Sequence, residues 1–317
     1  MSDVSVVMSV YDEPEHVKKT IESVLKQEGV SFEFVIVSDG ASEAVISAVN
    51  SYLDDERVCF IKQKNQGLTV ALINGCKHAT SPFIARIDAG DVMHPTRLLS
   101  QANVLKNQEQ IGIVSSLVTI ETVEGEFLYS INHSAQELDA GLRAVKGDAL
   151  ISPFHASVMF RRSVYNCVGG YRAVFYFTQD VDLWSRMIEQ ANISVIEEVL
   201  TKGIFSASGI SGRYRHFQTS LCDVIADANL LRQAGKSDQE LLEQAEKLRP
   251  SNNTRYNISE TKHEANNAKF DAEYFLASVL SKNKSKSAKK YWWRAFKLKP
   301  MNLKVWVLGL LSLRHMR

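Results

Sequence analysis

Val4-Ser5-Val6-Val7-Met8-Ser9-Val10-Tyr11-Asp12-Glu13-Pro14 opens on an apolar run that stops at a tyrosine and two carboxylates. Seven valine-rich residues are too few for an ordinary helix and read as a strand buried on both faces. Pro14 then stands where a first helical turn tolerates it, and Val17, Ile21, Val24 and Leu25 mark one apolar face. The pattern recurs. Residues 34–37, 58–61 and 83–87 are short β-branched runs, while Val45, Val49 and Leu53, then Leu68, Ala71, Leu72 and Gly75, mark intervening helices. Strand and helix in alternation, joined by short connections, predict an α/β fold with a mostly parallel sheet covered on both faces.

Farther on, 113–120 and 156–160 read as strands and 180–191 as a helix carrying Leu183, Trp184, Met187 and Ile188. From about residue 211 only helices are expected, near 219–233, 238–247, 260–280, 287–298 and 303–313. Pro250, Asn252 and Asn253 suggest a linker. The expected organisation is one nucleotide-binding domain over residues 1–215 and a helical C-terminal region over 216–317.

The 317 residues carry 45% hydrophobic and 23% charged side chains, an ordinary globular composition. A net charge of +1 conceals an asymmetry. Eleven of the 37 Lys and Arg fall in 282–317, with no Asp or Glu, leaving 26 basic against 36 acidic residues elsewhere. A nucleic-acid reader carries its charge across the reading surface, so no nucleic-acid partner is expected. The basic tail points instead to an anionic membrane surface. Cys59, Cys76, Cys167 and Cys222 are widely spaced and read as reduced core thiols, which suits the cytoplasm. Neither a signal peptide nor eighteen consecutive apolar residues is present, so no spanning helix is expected.

In open parallel sheets ligands bind beyond the carboxyl ends of the strands. Four loops follow the first four strands: 9–13 (Ser-Val-Tyr-Asp-Glu), 38–40 (Ser-Asp-Gly), 65–67 (Asn-Gln-Gly) and 88–91 (Asp-Ala-Gly-Asp). Three contain carboxylates. Facing a diphosphate, carboxylates need a divalent cation between, which makes Asp88 and Asp91 a candidate Mn²⁺ or Mg²⁺ site. Taken singly, these residues also suit plain turn chemistry or helix capping. Four such loops at one sheet edge make coincidence a poor account.

The same residues resemble the inverting glycosyltransferases of family 2, which have the GT-A fold. Residues 4–13 look like that family's first strand and base-binding loop, and 34–42 like its strand ending in an Asp-Asp-Gly-Ser turn. Asn65-Gln66-Gly67-Leu68 is similar to its Asn-x-Gly helix start, and 84–91 with Pro95, Arg97 and Leu98 to its Asp-x-Asp region. A looser likeness covers 155–162 and 169–172, and Gln179-Asp180-Val181-Asp182 resembles the motif holding the catalytic base.

The resemblance implies that Ser9, Tyr11, Glu13 and Asp39 hold the nucleobase and ribose, with Asn65, Gly67, Arg86, Asp88 and Ala89 completing the nucleotide-sugar contacts. It implies a metal at Asp88 and Asp91, and Asp180 as the base that deprotonates an acceptor hydroxyl. The implied activity is inverting sugar transfer from a UDP- or dTDP-sugar to a glycan acceptor, lipid-linked in one version, in bacterial surface polysaccharide synthesis. Three positions depart from the family pattern: Gly90 replaces the second Asp of Asp-x-Asp, Gln179 replaces Glu, and no Arg-x-His segment is found around 204–206.

Tyr291, Trp292, Trp293 and Phe296 stand among lysines, followed by the apolar run 305–311. Basic residues with interfacial tryptophans suit a helix lying on anionic lipid at the inner face of the cell membrane. A helical hairpin docked on protein suits them equally. Two other functions compete. A nucleotidyltransferase needs a Gly-rich loop with Arg and Lys near the first strand, which 11–13 lacks. A catalytically degenerate GT-A protein, acting as a glycan-binding or membrane-assembly module, is encouraged by Gly90.

Overall fold

The computed structural model describes residues 2–205, 215–248 and 262–314. Strands β1 (Val4–Val10), β2 (Phe32–Asp39), β3 (Val58–Gln63) and β4 (Phe83–Arg86) form a parallel block in the order β3-β2-β1-β4. β1 sits between β2 and β4, pairing Val10 with Ser38 on one side and Val4 with Phe83 on the other. Alternate residues of β1 face opposite layers. Val4, Val6, Met8 and Val10 pack with Val17, Ile21 and Val24 of α1 (Pro14–Leu25) and Leu98, Ala102 and Leu105 of α4 (Arg97–Asn107). Val7 faces the other way, meeting Gly75 of α3 (Leu68–His78). Both faces are covered, which is why β1 reads as continuous apolar sequence.

Beyond β4 the sheet continues through β8 (Met159–Arg161), β6 (Ile111–Thr122), β9 (Asn192–Phe205) and β5 (Val92–Met93). Here β4–β8, β6–β8 and β5–β9 are antiparallel. The short β7 (Phe127–Ile131) pairs with β6. Helix α2 (Glu43–Asn50) follows β2, α5 (Ala135–Leu142) starts on a Ser134–Glu137 capping box, and α6 (Arg162–Cys167) and α7 (Gln179–Met187) precede β9. The expected strand at 156–160 is divided: His155–Ser157 is a 3-10 turn and β8 begins at Met159.

The chain divides into two compact units, and not at 215/216. One unit holds Met1–Val118, Ile131–Gly203 and His216–Ile258, so α8 (Arg215–Gln233) and α9 (Gln239–Lys247) belong with the sheet. Ion pairs and hydrogen bonds explain this. Arg232 on α8 binds Glu189 at 2.7 Å and Asp238 at 2.8 Å, and Asn229 donates to the carbonyls of Leu142 and Ala144. The second unit holds Thr119–Ser130, Ile204–Arg215 and Ser259–Arg317, with α10 (Lys262–Lys282), α11 (Ala288–Leu298) and α12 (Leu303–Arg314).

All four cysteines are free, but only Cys76 is a core thiol; Cys59 and Cys167 are exposed and Cys222 is intermediate. Among the described residues no helix is long and apolar enough to cross a membrane. The expected linker at Pro250, Asn252 and Asn253 lies outside the described residues, as does Ser206 of the 204–206 segment.

Candidate active site

The loops after β1, β2, β3 and β4 meet at one rim of the parallel block, stitched by hydrogen bonds. Ser42 donates its backbone N–H to the Tyr11 carbonyl at 3.4 Å, joining the first loop to the second. Asp39 joins the second to the third. Its carboxylate accepts the Gln63 side-chain amide at 2.8 Å and the backbone N–H groups of Gln66 and Gly67 at 2.8 and 2.9 Å. It is 2% exposed. Much of its acceptor capacity therefore shapes the 65–67 loop. Beside it, the Asn65 Oδ1 is buried with no hydrogen-bond partner.

Gly67 is fixed by its neighbours. Its φ is 91°, and a Cβ there would stand 2.4 Å from the Tyr176 ring. Thr69 donates to the Phe175 carbonyl at 3.1 Å. Through these contacts the third loop is packed against the segment that leads into α7. Asp180 lies in the first turn of α7, where Thr178, not Asp180, is the N-cap residue.

The Asp180 carboxyl is pushed up to about 6, chiefly by desolvation, against the opposing pull of the Val181 and Asp180 amides; the Asp88 charge adds to the rise. The residue as a whole is partly exposed, though densely surrounded by protein. A raised pKa of this kind suits a general base working near neutrality. Asp182 is different. It is 1% exposed and held by Arg186 at 2.6 Å, so it is a structural ion-pair partner and not an acceptor contact.

Arg86 and Asp88 form the fourth side. The Arg86 guanidinium is buried, donating to Val7 O at 3.1 Å, to Ile87 O and to the Asp88 carboxylate. Arg86 thus orients Asp88 from behind instead of presenting itself to a ligand, while the Asp88 side chain stays 39% exposed. Behind both lies buried Arg97, whose guanidinium donates to Arg86 O at 2.9 Å and Val158 O at 3.3 Å. Burial pulls Arg97 down to about 9, and the Asp91 charge partly offsets this.

Asp91 is 5% exposed, and its charge falls on Arg97. Gly90 itself has φ 107°, a backbone that suits glycine and penalises aspartate. A Cβ at Gly90 would meet only His16 Cβ, at 4.0 Å. Among the described residues no three His, Cys, Asp or Glu side chains cluster as ligands. What fits is a cation shared between Asp88 and a ligand's own oxygens, since Mg²⁺ commonly uses one or two carboxylates plus phosphates.

The remaining expected residues fall at the rim. Ser9 and Tyr11 are partly exposed at the end of β1, Ala89 is partly exposed beside Asp88, and Glu13 is exposed. Glu13 adopts φ 62°, ψ 67°, a left-handed backbone rare for a non-glycine residue, with its carboxylate 2.7 Å from His16 Nδ1.

Two residues of the site were not among those expected. His155 is buried, with its Nε2 2.9 Å from the Tyr171 hydroxyl, and burial drives it down to about 3, so it is neutral at any physiological pH. The Asp88 and Arg86 charges both reach it. Tyr176 covers Gly67. No spacing rule marks Tyr176, which reads as core in apolar sequence, while His155 heads the 155–162 likeness without being singled out there.

The model for glycosyl transferase family 2 matches residues 5–169. The chain belongs to glycosyl transferase family 2. EpsE of Bacillus subtilis, named as a glycosyltransferase, is 30% identical over 193 residues, 59% of this chain and 67% of that protein. RP339 of Rickettsia prowazekii, also so named, is 25% identical over 215 residues. That alignment covers 65% of this chain and 64% of RP339, so the chain spans about two thirds of the length of these relatives.

Mannosyltransferase PcManGT from Pyrobaculum calidifontis, solved with GDP-Man and Mn²⁺, superposes with a TM-score of 0.52 at 14% identity. The match covers 99% of this chain and 85% of PcManGT. S. aureus TarS 1-349 with UDP gives 0.53 at 14% identity, over 99% of this chain and 91% of TarS. These likenesses are of fold: the family 2 domain has the GT-A architecture.

Proposed function

We propose that the protein transfers a sugar from a nucleoside diphosphate sugar to a hydroxyl of a glycan acceptor, with inversion at the anomeric carbon. Asp180 takes the proton from the acceptor hydroxyl, and the freed oxygen attacks from the face opposite the diphosphate. The bond between the anomeric carbon and the phosphate oxygen breaks, and the nucleoside diphosphate departs. The observation that carries this reading is the joining of the loops after β1, β2 and β3, packed through Gly67 and Thr69 against the segment that brings Asp180 into the first turn of α7; the raised Asp180 carboxyl, reached by the Asp88 charge, supports it. One carboxylate tuned as a base and another left partly exposed beside it divide the work as acceptor activation and donor holding.

Tyr11, Asp39 and Asn65 form the base end. A uridine or thymidine diphosphate suits it better than a guanosine one: the Asn65 Oδ1 offers one spare acceptor, and a pyrimidine N3–H is one donor, whereas guanine presents two side by side. Asp88, oriented by Arg86, would hold Mn²⁺ or Mg²⁺ together with the diphosphate. Such a cation would neutralise charge gathering on the leaving group, where one unit-charge contact at about 4 Å is worth about 4 kcal/mol at an effective dielectric near 20. Synthesis of a bacterial surface glycan, from the cytoplasmic side and on a lipid-linked acceptor, completes the reading; it rests on the family resemblance and on the basic tail.

Gly90 and the buried Asp91 favour one alternative, a degenerate protein that binds nucleotide without transfer. A thermal-shift and turnover screen over nucleotide-sugars, with and without Mn²⁺ and Mg²⁺, separates the two. Sugar transfer or donor hydrolysis that depends on a divalent ion is the expected result. Nucleotide binding with no turnover for any donor overturns the enzymatic reading.

A further inference from the structure

In the second unit, α11 and α12 form a hairpin against α10 with two unlike sides. The inner side is a small core of Phe270, Ala295 and Val305, with Tyr274, Trp292 and Phe296 packed on it. Trp292 donates its indole N–H to Val305 O at 2.8 Å, locking the two helices. Ala288, Tyr291 and Ala295 turn α11's buried stripe inward. The hairpin thus packs on α10 of its own unit by one side.

The outer side is apolar and basic at once. Trp293 is 47% exposed and stacks on Phe296 with centroids 5.4 Å apart; Phe296 meets Trp306, itself 50% exposed, edge-on at 5.1 Å. This aromatic ridge crosses from α11 to α12. Leu303 and Val307 are exposed on α12, three before and one after Trp306, and so extend the patch on that helix's face. Exposed Lys289 and Lys297 flank Trp293 at i−4 and i+4, and Lys297 lies over its ring at 5.5 Å. Lys286, Lys289, Lys290, Trp292 and Trp293 line a groove of ≈ 630 Å³. The anchor on the far side is Lys290, which reaches back to Glu124 and to Glu126 at 3.2 Å, leaving Lys286 and Lys289 to solvent.

We infer that this face docks on the surface of an anionic phospholipid bilayer. The lysines meet lipid phosphates, and Trp293, Trp306, Leu303 and Val307 enter the headgroup–acyl boundary. Charge complementarity selects this occupant. With eleven basic and no acidic residues over 282–317, a second copy of the same face would repel it. A neutral apolar partner would leave the lysines unmatched. Exposed tryptophans between lysines, on helices too short to span, are the composition of an interfacial contact. The inference deepens the proposed function by naming where a lipid-linked acceptor would be met, and in that respect rests on it. The lipid contact itself is carried by residues outside the cleft.

The test is flotation of the full chain with vesicles of phosphatidylcholine alone or mixed with phosphatidylglycerol, at low and high salt. The parent should float with the anionic vesicles at low salt and lose binding as salt rises. Lys286→Gln with Lys289→Gln should weaken partitioning about thirtyfold, at about fivefold per basic residue near an anionic surface. Trp293→Ser should reduce it on neutral and anionic vesicles alike. Unchanged thermal unfolding and unchanged donor turnover in lipid-free buffer would show that neither variant disturbs the cleft. Equal binding to both vesicle types, or a double variant that floats like the parent, overturns the inference. So does a concentration-dependent dimer that Trp293→Ser dissociates, with no vesicle binding. None of these outcomes bears on transfer to a soluble acceptor, which tests the proposed function separately.

Discussion

The carboxylate of Asp39 accepts the backbone N–H of Gly67 at 2.9 Å, so the residue that ends β2 fixes the turn that begins α3. If Asp39 holds the nucleobase end as proposed, its removal has two effects, on the loop and on the ligand, and they can be measured apart.

Asp39→Ala should lower stability by about 2–4 kcal/mol, because the Gln66 and Gly67 amides lose their acceptor in a buried place. It should also abolish the rise in Tm that uridine or thymidine diphosphate gives the parent. A variant that unfolds like the parent would show that the loop does not depend on Asp39. One that is still stabilised by the nucleotide would remove Asp39 from the base end.

Gly67→Ala should raise the donor KM at least tenfold, since a methyl group would stand 2.4 Å from the Tyr176 ring and φ 91° is costly for alanine. Adding Tyr176→Leu should recover part of the loss by removing the clash, and leave the part due to backbone strain. No recovery in steady-state donor titrations would mean that the contact with Tyr176 is not what fixes Gly67.

Asp180→Asn should keep nucleotide binding and lose at least about a thousandfold in kcat, by loss of the base. In the parent, kcat/KM should rise with pH up to about 6 and then level, and a cation beside Asp88 should shift that limb to lower pH by cancelling the neighbouring charge. The same group bears on stability. A folded-state pKa raised from 3.8 means that ionising Asp180 in the fold costs free energy, so stability falls as pH rises from about 4 to about 6. Asp180→Asn should therefore be more stable than the parent at pH 7, on the order of 1–2 kcal/mol once partial exposure is allowed for, with no gain below pH 4. Full transfer activity in Asp180→Asn would end its assignment as base.

Asp88→Asn and Asp91→Asn should separate binding from folding. The first should weaken the divalent-ion requirement of turnover by tenfold or more, with some fall in Tm as well, since the buried Arg86 guanidinium loses its charged partner. The second should lower Tm without shifting the ion titration, since Asp91 is buried and its charge lies on Arg97. A shifted ion titration in Asp91→Asn would return it to the metal site.

The parallel block was legible because strands buried on both faces leave uninterrupted apolar runs, as in 4–10 and 34–37, and because ligand loops follow them. Of the antiparallel half, β6 and part of β8 were legible as 113–120 and 156–160, but β9 and β5 were not. β9 mixes Glu197, Glu198 and Lys202 into a half-exposed strand, and the two-residue β5 is too short to leave a pattern. The units were misdivided because α8 and α9 carry amphipathic sequence that says nothing about which body they cover; Arg232 and Asn229 decide it through partners far away in the chain. At the site, residue type pointed to Asp39, Asp88 and Asp180, but could not distinguish a side chain that faces a ligand from one that supports it. Arg86 and Asp91 show the difficulty: each is polar, beside the right motif, and buried.

Glu13 stands in a left-handed backbone just ahead of Pro14, where glycine would be at ease and glutamate gives up about 1–2 kcal/mol. Selection for folding alone would favour glycine there. A thermostability screen, run without a nucleotide present, should therefore erode the mouth of the cleft first and report the damage as improvement.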